Sequence, residues 1–356
     1  MKWIRSMFEK NRRSRTVSYL MVIAAYIIIE ILLKTGHMKS MYKNLLVPVC
    51  CYIVAAISLN LIVGFSGELS LGHAGFMSIG AFSGIIVSGY LANTTEMSAA
   101  LRLPLAMVCG ALMAAMIGYL ISVPVLKLQG DYLAIVTLAF CQIIKSLINN
   151  IYFGYDANGF QFSFIENRLN IAKGGKIFLS GPIGATGTQR IATFTAGIIL
   201  ILISLIVVYH LIDSSRGRAI MAARDNRIAA QSIGIDVTKT KTLAFVVGCA
   251  LAGAAGALYS LNIATISAAK FDYNQSILIL VYVVLGGLGS VNGSMISTAI
   301  LIILPEMMRF LDKYRMIIYA MILIGMMLVT NNEALKARMN QLKKHLHKNR
   351  GAAQHE

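Results

Sequence analysis

Residues 64–84 read GFSGELSLGHAGFMSIGAFSG and stand between long apolar runs. Six glycines, four serines, Glu68 and His73 in so short a space do not make a plain helix facing lipid. Non-helical backbone at membrane depth persists only where protein or a water-filled cavity surrounds it. Ionisable groups at that depth face an interior or a path. Two readings are open from these residues. One is a broken or re-entrant segment lining a translocation route. The other is a tight helix contact made by small residues.

The apolar runs themselves predict about ten spans, near residues 17–33, 45–63, 74–91, 103–126, 132–151, 192–212, 243–261, 275–291, 295–310 and 314–330. A spanning helix needs roughly 20 residues, and segments 64–91 and 275–310 are the ones open to a re-entrant reading. Only 13% of residues are charged, about half the share of a soluble chain. The expected fold is an all-α, polytopic transmembrane helical bundle with broken or re-entrant glycine-rich segments. Its first span follows a basic start and shows no small-residue cleavage site, so it reads as retained.

The net charge of +17 is clustered. Residues 1–16 carry Lys2, Arg5, Lys10, Arg12, Arg13 and Arg15 against Glu9 alone, and 331–356 form a second basic tail. Residues 213–242 hold six bases and three acids. Basic loops stay on the cytoplasmic side, which places these three segments inside the cell membrane and the long connection 152–190 outside it. Nothing in the pattern points to nucleic acid. Between them, 17–330 form one transmembrane domain in contact with lipid.

Span five alternates between an apolar side and Thr137, Gln142, Lys145 and Asn149, as a helix beside an aqueous path does; Lys145 snorkelling from a helix end explains it equally. Ala219–Ile233 reads as a surface helix that Gly234 stops. Gly248, Ala252 and Gly256 in span seven have the spacing of close helix packing. The late break VLGGLGSVNGS, with Gly286, Gly287 and Gly289, loosely repeats the early one with Gly64 and Gly72. Interrupted segments in corresponding halves point to an inverted repeat around a midplane path.

Catalytic constellations are sparse. Gly64-Phe65-Ser66-Gly67 matches the GxSG of rhomboid-type proteases, but the nearest histidine, His73, lies in the same stretch, whereas a serine nucleophile needs a base on a neighbouring helix. The sequence has no HExxH or His/Cys metal cluster and no Walker A motif, so no metal or cofactor is expected. The five cysteines, Cys50, Cys51, Cys109, Cys141 and Cys249, lie in apolar runs and read as packing residues. If ATP drives this chain, the hydrolysis belongs to a partner, and 213–242 is where a partner can dock.

Four blocks carry a family resemblance: GFSGELSLGHAGFMSIGAFSG at 64–84, LQGDYLAIVTLAFCQIIKSLINN at 128–150, GRAIMAARDNRIAAQSIGIDVTKTKTLAFVVGCALAGAAGALYS at 217–260, and VLGGLGSVNGS at 284–294. In content and order they resemble the LivM-type permease subunits of bacterial branched-chain amino acid ABC transporters. The resemblance implies a permease, not an enzyme. Its implied partners are a homologous second permease of LivH type, two ATP-binding subunits and a substrate-binding protein. It makes Arg224, Asp225, Asn226, Ala229, Ala230 and Gly234 the coupling motif that meets the ATPase. Ser66, Gly67, Ser70, His73, Asp131, Thr137 and Gln142 are then expected near the path, with Asp131 alternatively a cap for span five. Two features depart from the family. Gln142 stands where Glu is common, and GYDANGF with a longer loop replaces a short TGG-x-x-G stretch. Related urea, amide or sugar permeases, and more remotely a stand-alone channel or carrier, are the competing readings.

Overall fold

A computed structural model describes residues 2–35, 40–94, 97–126, 131–156, 159–164, 176–308, 317–318, 320–321 and 323–325, with side chains from Arg15 onward except at 40–41, 131, 156, 159–160 and 176. The fold is all-α and polytopic. Among the described residues seven helices are long and apolar enough to cross a membrane. These are α1 (Lys2–Lys34, apolar from Arg15), α2 (Ser40–Asn60), α3 (His73–Thr94), α4 (Ala99–Val125), α5 (Asp131–Asn149), α6 (Phe194–Asp213) and α9 (Val237–Ser260). Two of the ten expected spans are shorter, α10 (Tyr273–Gly286) and α11 (Val291–Met307). The 14 residues of α10 rise about 21 Å, less than the roughly 30 Å hydrocarbon core. Most of the expected span 314–330 lies outside the described residues.

Residues 1–299 form one compact unit. Its centre is α3, α4 and α9, packed by missing side chains. A Cβ on Gly80 would fall 2.0 Å from the Gly253 carbonyl oxygen, and one on Gly256 would fall 1.9 Å from that of Met77. The expected small-residue face of span seven is therefore a seat for α3, and Ala252, Ala255 and Phe245 are buried along it. On the flank, α1 leaves Leu20, Ile27, Ile28 and Ile31 exposed, the face a lipid-contacting helix shows. It is held to α6 by an Arg15–Asp213 ion pair and a Ser18–Tyr209 hydrogen bond of 2.6 Å. Residues 300–356 form a second unit, described over the end of α11 and the helical positions near 317–325.

Three elements differ from the sequence expectation. The connection 152–190 is not a plain polar loop: β1 (Ile151–Asp156) pairs antiparallel with β2 (Gly159–Phe164) and β3 (Lys176–Ser180), in the order β2-β1-β3. A further short pair joins β4 (Ala185–Thr186) to β5 (Thr265–Ile266). Second, the surface helix expected over 219–233 is two helices, α7 (Ser215–Asp225) and α8 (Arg227–Ser232). Asn226 breaks them apart by turning extended and capping α8 through the Ala229 N–H, 3.0 Å away. Third, α9 starts six residues before the expected span, because Asp236 caps it by accepting the Lys239 N–H at 3.0 Å; a cap outweighs hydropathy in fixing where a helix begins.

Candidate functional site

The glycine stretch is a break in the bundle. After α2 the chain widens into a π turn, Leu61–Phe65, whose backbone bonds run on through Ser66 N–H to Leu61 C=O at 3.1 Å. Gly67, at φ +74°, then reverses the chain, a conformation that side chains with a Cβ resist. Residues 67–72 climb back without helical structure, and α3 starts only at His73. That start is deep. Gly72 packs on the Thr137 backbone, six residues and about 9 Å into α5. The exposed donors of the climb are met by side chains, as buried backbone requires: the Leu71 N–H donates to Thr137 Oγ1 at 3.0 Å and the Ala74 N–H to Ser276 Oγ at 3.0 Å.

Ser276 belongs to the first turn of α10, so a second helix begins at the same interior level. The descent to it is irregular. After β5, a 3-10 turn (Ala268–Phe271) brings the Phe271 carbonyl to the Cys141 thiol, 3.6 Å away and about 15 Å into α5. Asp272 then caps α10 through the Gln275 N–H. From this shared level α3 runs toward the sheet, where Gly89 meets Phe178. α10 runs the other way, to a turn where the Gly289 N–H donates to Asn60 Oδ1 at 2.8 Å. The first glycine break feeds the interior start of α3, whereas the interior start of α10 is fed by the 3-10 turn and the second glycine break follows its far end. Two helices thus start inside the bundle and leave in opposite directions, as in inverted-repeat transporters.

The residues expected near a path fall around this level unevenly. Ser66 and Ser70 are buried, and their hydroxyls have no hydrogen-bond partner among the described residues. His73 is fully buried; Nε2 lies 2.7 Å from Ser58 Oγ, and Nδ1 has no partner. Thr137 is a structural bridge as much as a lining group, since its hydroxyl also donates to the Ala134 carbonyl at 3.0 Å. Gln142 is half-buried. Asp131 opens α5, and its side chain lies outside the described residues. Buried polar atoms without partners are uncommon in folded proteins, and three of them lie in this one broken stretch.

The segment expected to couple is tied to this break. Arg224 Nη1 donates to the Gly64 carbonyl at 2.8 Å, its Nε and Nη2 hold Asp225 Oδ1, and its stem lies where a Cβ on Gly67 would be, 2.6 Å from Cγ. Beside it, Lys241 of α9 pairs with Glu68, both side chains largely buried. Gly64 itself packs against the Gly289 backbone, so a continuous line of contacts runs from α7 through the first break to the second. Ala230 is buried against Ala223 and Val237, whereas Ile228 and Ile233 are 80% and 75% exposed. Gly234 takes φ +85° just past α8. Sequence reasoning missed Ile228, Ile233, Asn60 and the Lys241–Glu68 pair. Two apolar residues five apart on a charged surface segment were the available signal.

A helical bundle with an interior break, opposed helix starts and two exposed apolar residues on a surface segment fits a membrane permease. The chain belongs to the family described as the permease component of branched-chain amino acid transport systems, whose model matches residues 41–330. It is 32% identical over 302 residues to a high-affinity branched-chain amino acid permease protein, LivM, of Salmonella typhimurium, covering 82% of this chain and 69% of the relative. It is 33% identical to LivM of Escherichia coli with the same coverage. A fructose import permease protein, FruG, of Bifidobacterium longum is 23% identical over 81% of this chain and 79% of its own. No solved structure matches the chain.

Proposed function

We propose that this chain is the transmembrane subunit of an ATP-driven importer for leucine, isoleucine and valine. Its partners in that reading are a homologous second permease, two ATP-hydrolysing subunits and a binding protein that delivers the solute. Family membership supports the class, and the names of the two LivM relatives supply the substrate. The observation that carries the mechanism is the Arg224–Gly64 bond, which ties the surface segment to the interior break.

The basic segments 1–16 and 213–242 support a cytoplasmic α7–α8 end and an external sheet end. Ile228 and Ile233 form the knob that enters the ATPase. Closure of the ATPases on ATP pulls this knob, and Arg224 and Lys241 carry the pull to residues 64–68. Asn60 and Gly289 pass it to the inner end of α10. Because α3 and α10 start at one level, displacing the break changes which end of the path is open. The path is polar through Ser66, Ser70 and His73, which suits the ends of a zwitterion.

Uptake of labelled leucine by cells with and without this chain, all partners co-expressed, tests the reading. Uptake that needs the chain and yields to excess valine and isoleucine, but not to fructose, supports it. Suppression by fructose alone, the solute in the name of one relative, replaces the amino acid reading with a sugar one.

A further inference from the structure

We propose that the sheet end of the bundle holds a carboxylate-binding site built on Arg102, which receives the carboxylate of the solute before it reaches the path. The inference rests on the importer reading for the identity of the solute, but the carboxylate chemistry follows from the residues.

Arg102 lies in the first turn of α4 and is only 5% exposed. Its Nη2 donates to the Gln189 side-chain carbonyl at 2.6 Å, and its Nε is buried with no partner. Among the described residues no carboxylate stands within ion-pair distance of it. A neutral amide solvates a guanidinium without balancing its charge. Buried charges persist where they are paired, and removing one member of a pair is costly because it strands the other.

The position adds to the imbalance. The first turn of a helix is the positive end of its dipole, where anions are favoured and cations are not. Ser98 at the cap makes no side-chain bond to the first-turn donors. Burial, the lack of a counter-charge among the described residues and the helix end all penalise a cation, and all favour an anion beside it.

Space for that anion adjoins. Gln189 lines a cavity of about 400 Å³ together with Ser88, Asn93, Phe178, Thr186 and Thr188. Its lining combines hydroxyl and amide groups with apolar carbon, the two kinds of surface an amino acid's polar end and side chain need. An arginine fork binds carboxylate through two parallel hydrogen bonds, and Gln189 touches both the guanidinium and the cavity.

The test uses the assembled transporter in nanodiscs, without its binding protein, with radiolabelled leucine as probe. Competitors are isovalerate, which keeps the carboxylate and lacks the amine, and leucinol, which keeps the amine and lacks the carboxylate. Isovalerate is expected to displace leucine at least about tenfold better than leucinol, the effect of one charge-assisted contact. Arg102→Gln and Arg102→Met are expected to erase that preference, and Arg102→Met to keep or raise the thermal midpoint, because it removes a stranded charge. Equal competition by isovalerate and leucinol in the unmodified protein overturns the proposal. So does an unchanged preference in both variants, or binding lost only in step with a lowered midpoint. Radiolabelled isovalerate is run as a second probe; if its binding depends on Arg102 while leucine is neither bound nor transported, the carboxylate site stands and the branched-chain reading falls.

Discussion

Arg224 shows how one side chain can serve two neighbours: it holds Asp225 beside it and the Gly64 carbonyl far along the chain. Arg224→Gln keeps a donor but loses reach and charge. In the assembled transporter it is expected to lower leucine uptake about tenfold, the loss of one charge-assisted hydrogen bond, while ATP hydrolysis continues. The ratio of solute moved to ATP consumed checks this. Arg224→Lys keeps the charge without the fork and falls between. At the other extreme, Gly256 has no room at all. Gly256→Leu is expected to cost about 3 kcal/mol or more, the upper range of overpacking, read as a fall in thermal midpoint in detergent.

Among the elements, the surface segment divides its work between faces. Ile228→Asp with Ile233→Asp is expected to leave membrane insertion intact and abolish co-purification of the ATPase subunits. Ala230→Arg acts differently, because Ala230 is buried against Ala223 and Val237; it lifts α8 off its own support, which limited proteolysis of the segment detects. The α9 cap is sensitive to acid. The Lys239 backbone N–H, with its ammonium, holds the exposed Asp236 carboxyl below its ordinary value. A carboxyl lowered by folding contributes above its unfolded value and loses that contribution as pH falls through the folded one. The protection of the first-turn amides of α9, taken relative to their intrinsic exchange at each pH, is therefore expected to fall at acid pH in the native protein, and to lose that dependence in Asp236→Asn. The sequence made the long helices, the break at Gly64–Gly72 and the small-residue face of α9 legible, because each is a local pattern. It hid the strands, whose FQFSF alternation sits among glycines and asparagines that signal a loop. It also hid the outward face of α8 and the Ser58–His73 and Asn60–Gly289 bonds, which depend on which neighbours the tertiary fold supplies.

For the molecule as a whole, orientation is the first quantity to establish. A cysteine at Thr186, beside the sheet, is expected to react with an impermeant thiol reagent on intact cells, and one at Ile228 only after permeabilisation; the reverse pattern inverts the assignment of sides. The native cysteines are buried or half-buried and give a low background. The seam between α3 and α9 then says how such a machine can move. Their backbones meet with no side chains between them at Gly80–Gly253 and Gly256–Met77, so nothing soft is present to deform during a sliding stroke. The two helices are keyed into a single registration and act as a stator. Piston motion of either past the other is disfavoured by this contact, and in the proposed importer the gating stroke is expected to be a tilt of α10 and of the α7–α8 segment, whose links to the break include the Ser276 and Arg224 bonds.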